Sequence, residues 1–259
     1  MRIARFHLPR AARVPLVLAF WLGVWAFAAW RVGLPLLLPS PALVAKTLWI
    51  MLGTGAFYRT VLRSLWNVTA GILIAVVAGA LLAGLCRRVR LLRELILPLM
   101  TVIKATPVAS FIVLALIWIG SARVPSFITV LIVLPVVWTN VDEGLSKIDP
   151  QLTELTRVYR MPFLPRLRFL VLPSVRPYFF AACRTSLGLA WKAGIAAEII
   201  ALPRMTVGTA INDARQYLLT EEMFAWTFVV ILLSLLIECG FTALFDRFGG
   251  RKEARHDPA

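Results

Sequence analysis

The chain has 259 residues, of which 60% are hydrophobic, and it carries a formal net charge of +15. A soluble domain is about 45–50% apolar, and here the excess apolar residues are gathered into runs of about 20 residues, the length that crosses a bilayer. The basic residues lie between those runs and not on one soluble face, so the charge does not indicate a nucleic-acid-binding protein.

The first 30 residues combine a basic start with an apolar run, as a signal peptide does. From Val14 to Trp30 the run is longer than the apolar core of a signal peptide, so we expect an uncleaved first span after a cytoplasmic tail over 1–13. The membrane domain is predicted to cover 14–246, and a second cytoplasmic tail to cover 247–259. Six spans fit this domain, at about 14–32, 61–85, 94–120, 126–142, 174–200 and 223–246.

The loop charges predict the orientation. Outside the spans, most basic residues lie before the first span, after the last span, and in the loops that follow the second and fourth spans. Because Lys and Arg are enriched in cytoplasmic loops, both termini are predicted to be cytoplasmic. An external segment at 38–58 is expected to contain a helix that begins after Ser40-Pro41, since serine suits an N-cap and proline the first helical position.

The longest cytoplasmic loop, 143–173, has the pattern of two short helices. Asp149-Pro150 is a helix start, and Pro162 and Pro165 interrupt the helix that follows. The apolar residues that recur at three- and four-residue spacing in the first helix are Leu152, Leu155, Val158 and Tyr159. Such a pair of helices could dock in a groove of another protein, or it could be an amphipathic connector on lipid headgroups. The residues alone leave both interpretations open.

The spacing in this loop resembles the EAA signature of ATP-binding cassette (ABC) importer permeases. The signature runs E-A-A, three residues, G, nine residues, and I-x-L-P; Glu154 begins it, and Leu172-Pro173 lies at the required distance. This sequence departs from the signature in three places, with Leu155-Thr156 for the two alanines, Arg160 for the glycine and Leu170 for the isoleucine. Arg160 is the departure that matters, because glycine makes a turn there more easily than arginine.

Other fragments resemble the nitrate/sulfonate/taurine branch of these permeases, and they follow in the same order along the chain. They are Leu38-Pro39-Ser40-Pro41 after the first span, Thr54-Gly55 followed by Ser64 and Gly71, and Gly188-Leu189-Ala190-Trp191 leading to Ala197-Glu198. Together with the EAA spacing, the resemblance extends over nearly the whole chain.

This resemblance implies an all-α, polytopic protein of a bacterial inner membrane with the type I ABC importer permease fold, in which 143–173 forms the cytoplasmic coupling helices. The implied partners are a second permease copy, two cytoplasmic ATP-binding subunits and an extracytoplasmic solute-binding protein. The chain has no G-x-x-x-x-G-K-[ST] motif, so a separate subunit would bind ATP and this chain would need no cofactor. The implied substrate is a small solute, either anionic or heterocyclic.

Ionisable residues inside spans are costly and face a cavity or a partner. Lys104 lies beside Thr106-Pro107 in the third span, where the proline frees a carbonyl. The predicted translocation-path residues are Lys104, Thr106, Ser110, Asn140, Trp191, Lys192 and Glu198. An alternative for Glu198 is a structural ion pair with Lys192 or Lys104, and Arg184 is expected to extend to the cytoplasmic surface. Two lysines against one glutamate would leave a positive path, which suits an anionic substrate.

Two other classes of protein compete with this prediction. A membrane enzyme is disfavoured because both histidines, His7 and His256, lie in the terminal tails, and because Lys104 and Ser110 fall on opposed faces of one helix. An ATP-independent secondary transporter is the alternative that stays open, although no internal repeat is visible and six spans are few for one.

Overall fold

The computed structural model describes residues 10–249, with side chains described from 15 to 243. Within this part of the chain all regular secondary structure is helical. The predicted tail residues 1–9 and 250–259 lie outside the described residues. The helices are α1 (Arg10–Val32), α2 (Pro41–Leu52), α3 (Gly55–Arg88), α4 (Arg90–Ala105), α5 (Val108–Ile119), α6 (Val124–Ser146), α7 (Pro150–Val158), α8 (Phe163–Arg166), α9 (Leu172–Ala201), α10 (Val207–Gln216) and α11 (Thr220–Gly249).

The described residues form two compact units. The first unit holds 10–58 and 210–229, and the second holds 59–209 and 230–249. In the first unit, α2 begins where the sequence predicts: Ser40 is the N-cap, its hydroxyl accepts a hydrogen bond from the Leu43 amide at 3.3 Å, and Pro41 is the first helical residue. The predicted helix start after Ser40-Pro41 is therefore confirmed.

Four described helical segments are long and apolar enough to cross a membrane, namely Pro15–Val32, Gly55–Arg88, Val124–Ser146 and Thr220–Ala243. The number becomes five when α4 and α5 are taken together as one broken span. Helix α9 has nearly the extent of the predicted fifth span, 174–200, but it is not among these segments. Arg184, Lys192 and Glu198 lower its hydropathy, and such residues inside a span require a cavity or a partner.

The third predicted span, 94–120, is not one continuous helix in the structure. The structure breaks it into α4 and α5, which are bent by 108°. The break lies at Thr106, whose φ of −82° and ψ of 135° are extended. Pro107 explains this conformation, because the proline ring disfavours the helical region for the residue before it. Pro107 itself is the N-cap residue of α5.

Helices α3, α6 and α9 pack closely in the second unit. A Cβ added to Gly71 would lie 2.6 Å from the Ser126 carbonyl oxygen, and one added to Gly194 would lie 2.5 Å from Cγ2 of Val68. Small residues at these positions let helices approach at backbone distance, which is the usual packing inside a membrane. The Ser126 hydroxyl also donates to the Asn67 carbonyl oxygen at 2.8 Å. This packing fixes the relative positions of α3, α6 and α9, which carry polar residues of the predicted spans.

Candidate functional site

Lys104 lies at the end of α4 beside the break in the third span. Its ammonium group donates a hydrogen bond to the Thr139 hydroxyl on α6 at 2.7 Å. It also lines a cavity of about 290 Å³ between α4, α5, α6 and α9, together with Thr106. The other lining residues are apolar: Ile103, Val108, Phe111, Ile128, Leu131, Ile132, Pro135, Val136 and Leu189. Two of the predicted path residues, Lys104 and Thr106, are thus brought to one cavity.

The other predicted path residues do not line this cavity. Ser110 is exposed on α5, and Lys192 is exposed on α9. Asn140 donates to the Val136 carbonyl oxygen one turn earlier in its own helix, at 2.8 Å. Trp191 is buried, and its indole N–H donates to the Val230 carbonyl oxygen at 3.0 Å. Trp191 therefore packs inside the second unit.

Glu198 is fully buried and forms a cluster with α3 and the start of α10. Its Oε2 accepts hydrogen bonds from the Ser64 hydroxyl at 2.7 Å and from the Gly208 amide at 3.1 Å. Its Oε1 accepts a longer bond from the Asn67 side-chain amide at 3.4 Å. In the described part of the chain Glu198 has no ion pair with Lys104 or with Lys192. Uncharged donors, and not a lysine, therefore compensate for the burial of this carboxylate.

The first turn of α10 completes this cluster. The first amides of a helix lack partners within the helix. In α10, side chains accept hydrogen bonds from the first three amides. The Val207 amide donates to the Ser64 hydroxyl at 2.8 Å, the Gly208 amide to the Glu198 carboxylate, and the Thr209 amide to the Thr206 hydroxyl at 3.4 Å. The positive end of the helix dipole thus faces the carboxylate. A Cβ on Gly208 would collide with the Cβ of Glu198, so glycine is required for this approach.

Sequence reasoning identified Glu198 as unusual but did not identify its partners. Ser64 appeared only as a fragment of the family resemblance, and Asn67 and Gly208 were not singled out. Helical spacing places Ser64 and Asn67 on one face of α3, but a pairing across 131 or 134 residues leaves no local pattern in the sequence.

The loop 143–173 contains two short helices separated by a tight turn. Asp149 caps α7, and its carboxylate accepts a hydrogen bond from the Gln151 amide at 2.8 Å. At the other end, the Met161 amide donates to the Thr156 carbonyl oxygen at 2.9 Å, and the Arg160 amide donates to that of Arg157 at 3.0 Å. These two bonds form a Schellman motif, in which the residue after the helix adopts a left-handed conformation.

Arg160 is that left-handed residue, with a φ of 44°. The turn for which the EAA signature uses glycine is therefore made in this chain by an arginine. A left-handed conformation costs free energy for a residue with a Cβ, so the turn is present but strained. The turn at Arg160 thus has the left-handed conformation that glycine adopts more easily than arginine.

The surface of this loop includes a group of exposed apolar side chains. The side chains of Leu155 and Val158 are 51% and 72% exposed, and that of Glu154 lies beside them and is also exposed. The largest exposed apolar residues of the loop are Leu152, Leu155, Val158, Tyr159, Phe163, Leu164 and Phe169. Soluble surfaces rarely expose such a cluster unless it is a binding site.

The C-terminal part of the loop joins the loop to the spans. Residues Leu167–Val171 form a π-helical turn that continues into α9. Leu170 is buried, whereas Leu172 is 56% exposed and Pro173 lies in the first turn of α9. On the opposite side, the Arg88 guanidinium at the end of α3 stacks over the Phe163 ring at 4.7 Å, a cation–π contact. The loop is thus attached to α9 by the chain and to α3 by this stacking.

Arg184 occupies a different cavity, of about 190 Å³, between α9 and α11. Thr185, Gly188, Glu238 and Thr242 are among the residues that line it. Glu238 sits against Gly188, since a Cβ on that glycine would lie 2.7 Å from its Oε1. This cavity shares no lining residue with the one beside Lys104.

Several helices long and apolar enough to span a membrane, followed by an exposed helical loop after α6, indicate a polytopic membrane protein. Residues 69–251 match the family described as binding-protein-dependent transport system inner membrane component. The chain belongs to this family, because the match covers well over half of its length.

Three relatives illustrate the range of similar proteins. The riboflavin transport system permease protein RibX of Chloroflexus aurantiacus is 28% identical and covers 97% of this chain and 94% of its own length. The putative aliphatic sulfonates transport permease protein SsuC of Bacillus subtilis is 25% identical, and the match covers 81% of this chain and 76% of SsuC. The bicarbonate transport system permease protein CmpB of Synechococcus elongatus is 29% identical, and the match covers 76% of this chain and 70% of CmpB.

A crystal structure of an amino acid ABC transporter with histidines shares the fold, with a TM-score of 0.58 and 15% identity over 74% of this chain and 92% of that one. Together these similarities confirm the predicted family and the all-α importer permease fold. The chain is the translocation subunit of an ABC importer and a multi-pass protein of the inner membrane. It is a membrane component and not an enzyme, and its partners are an ATPase and a solute-binding protein. The family also removes the alternative of an ATP-independent secondary transporter.

Proposed function

We propose that 143–173 is the coupling segment, which transmits the conformational change of a separate ATPase to this permease. The observation that carries the proposal is the exposed apolar face of α7, held in place by the Asp149 cap and the Schellman turn at Arg160. A rigid apolar helix of this kind fits a hydrophobic groove in a partner. Arg88, stacked on Phe163, and the continuous joint with α9 are the routes by which movement of the loop would reach the spans.

The rest of the importer follows from the same proposal. Two copies of the permease would pair with two ATP-binding subunits, which supply the ATP site that this chain lacks. The excess of basic residues before the first span, after the last span, and in the loops that follow the second and fourth spans supports cytoplasmic termini. In this proposal Lys104, Thr106 and Lys192 line the translocation path, and Ser110 and Asn140 contribute to its polar surface. Glu198 and Trp191 act from inside the packed helices and position the path.

The transported solute is small in this proposal. Relatives are named for aliphatic sulfonates, bicarbonate and riboflavin, so an anionic or a heterocyclic solute is consistent with the family. The extracytoplasmic binding protein would select it.

The test is co-purification of the tagged chain from its native membrane. We expect an ATPase subunit at about one copy per chain. Leu155→Asp should reduce the bound ATPase at least about tenfold, because burying a leucine contributes about 1.5–3 kcal/mol to an interface. Tyr217→Asp, which changes a residue that is 74% exposed outside the loop, is the matched control and should leave the ATPase bound.

Glu154→Ala tests coupling more narrowly, since its side chain is exposed on α7. We expect the variant to keep its spans inserted and to uncouple ATP hydrolysis from transport. Normal transport by this variant, or full ATPase binding by Leu155→Asp, would contradict the coupling assignment.

A further inference from the structure

Lys104 has hydrogen-bonding capacity that the described residues do not use. A lysine ammonium has three donors, and one of them reaches the Thr139 hydroxyl at 2.7 Å. That hydroxyl in turn donates to the Pro135 carbonyl oxygen at 2.7 Å. Among the described residues no carboxylate forms an ion pair with Lys104. A positive charge and two donors therefore remain for another group.

The cavity beside Lys104 has one charged residue in its lining and is otherwise almost entirely apolar. Thr106, the other polar lining residue, already donates its hydroxyl to the Val102 carbonyl oxygen at 2.8 Å. The apolar wall includes Phe111, Ile128 and Leu131. The volume of about 290 Å³ lies at the small end of ligand pockets. A ligand that fits such a cavity is small, with an apolar part and one group that complements an ammonium.

The position of the cavity also favours a ligand. The break at Thr106 falls in the middle of the predicted third span, 94–120. Irregular backbone at membrane depth is tolerated where it lines a water-filled cavity, and broken helices near the midplane form the substrate sites of many transporters. A lysine without a carboxylate at this depth is costly unless it faces water or a ligand.

We propose that this cavity is a binding subsite for a small organic anion, with Lys104 binding the anionic head group and the apolar wall contacting the rest of the molecule. The inference rests on the proposed function, because it names the class of solute that the importer carries. A neutral heterocycle would leave the ammonium without a partner, and an inorganic anion would leave the apolar wall without a contact. Glu198 does not neutralise Lys104, since its oxygens are taken by Ser64, Gly208 and Asn67.

The charge of the cavity can be measured with thiol reagents. In a full-length chain with Cys86, Cys183 and Cys239 replaced by serine, Val136→Cys places one thiol in the cavity wall. The reporter reacts with either an anionic sulfonatoethyl or a cationic trimethylammonioethyl methanethiosulfonate. The ratio of the two rates, divided by the ratio for a free thiol in solution, reports the local potential. Ile132→Cys is a second reporter on the same wall, in case the first does not fold.

We expect the anionic reagent to be favoured, and Lys104→Gln to lower the normalised ratio about fivefold or more, as for one unit charge about 8 Å away in a watery cavity acting in opposite directions on the two reagents. Arg184→Gln is the matched control, because it removes a cation from the separate cavity on α9 and should leave the ratio unchanged. Sodium butanesulfonate should slow modification when Lys104 is present and not in Lys104→Gln. Sodium sulfate, which lacks an apolar part, should protect less.

The proposed subsite is overturned if Lys104→Gln leaves the normalised ratio of modification rates unchanged. It is also overturned if neither cysteine reporter reacts with either reagent in a folded chain. These outcomes are distinct from failure of the proposed function. If an ATPase co-purifies while the ratio does not depend on Lys104, the importer assignment stands and the anion subsite falls. If the ratio depends on Lys104 while no ATPase co-purifies, the coupling proposal falls and the subsite stands.

Discussion

Glu198 is held by three neutral donors inside a helix of membrane-spanning length. The Ser64 hydroxyl and the Gly208 amide share one carboxylate oxygen, and the Asn67 amide contacts the other. A buried charge of this kind is stable only while its hydrogen bonds are complete. The cluster ties α3, α9 and the start of α10 together, so its main effect is on the structure of the second unit.

Two substitutions at Glu198 separate hydrogen bonding from charge. Glu198→Gln can keep its amide oxygen toward Ser64 and Gly208 and turn its NH2 group toward Asn67, whose own amide can flip to accept it. We expect it to keep most of the stability. Glu198→Ala leaves buried donors unpaired and should cost about 3 kcal/mol or more. Thermal unfolding of the purified chain in detergent measures both, with Glu238→Ala, an exposed carboxylate, as control.

Equal damage by Glu198→Gln and Glu198→Ala would contradict this account and would show that the negative charge itself is needed. At this scale, the sequence predicted which ionisable residues are unusual, because a charge within an apolar run is conspicuous. It did not predict whether Lys104 or a neutral donor compensates Glu198, because that depends on helix packing between residues more than 100 positions apart.

At the scale of elements, the turn after α7 is where this chain differs from its family signature. The left-handed φ of 44° at Arg160 costs about 1–2 kcal/mol for a residue with a Cβ. Arg160→Gly should therefore stabilise the turn and keep the ATPase bound. Arg160→Val should weaken both, since β-branched residues rarely adopt positive φ. The measurement is hydrogen exchange at the amides of 159–161 in parallel with co-purification of the ATPase.

Arg160→Asn is the control for charge, because asparagine tolerates the left-handed region better than other residues. If Arg160→Asn loses the ATPase while Arg160→Val keeps it, the guanidinium and not the turn is what matters. The element boundaries at both ends of α7 were readable from local chemistry, namely Asp149-Pro150 and the EAA spacing. The break at Thr106 was less readable, because a proline within an apolar run predicts a kink but not its angle of 108°.

At the scale of the whole molecule, the apolar runs predicted a polytopic helical chain, and the family resemblance predicted the permease fold. The sequence predicts α9 as the fifth span, 174–200, although its charges keep it out of the segments that are long and apolar enough to cross a membrane. Its exposed residues include Arg184, Thr185, Leu189 and Lys192. Within a membrane, cations on the exposed surface of a helix are costly unless they reach water or a partner. We therefore expect the exposed side of α9 to face an aqueous space.

A second copy of the permease would enclose that space, because a two-fold pair presents the same surface of both subunits to each other. With like charges on both copies, we expect a water-filled space between the α9 helices and not a dry contact. The prediction is two copies of this chain in each assembled importer. Co-expression of the chain with two different tags, followed by purification on the first tag, should recover the second, and native mass spectrometry should give two permease copies per two ATPase subunits. Recovery of a single copy paired with a different permease would contradict the homodimer and would place an unlike surface opposite Arg184 and Lys192.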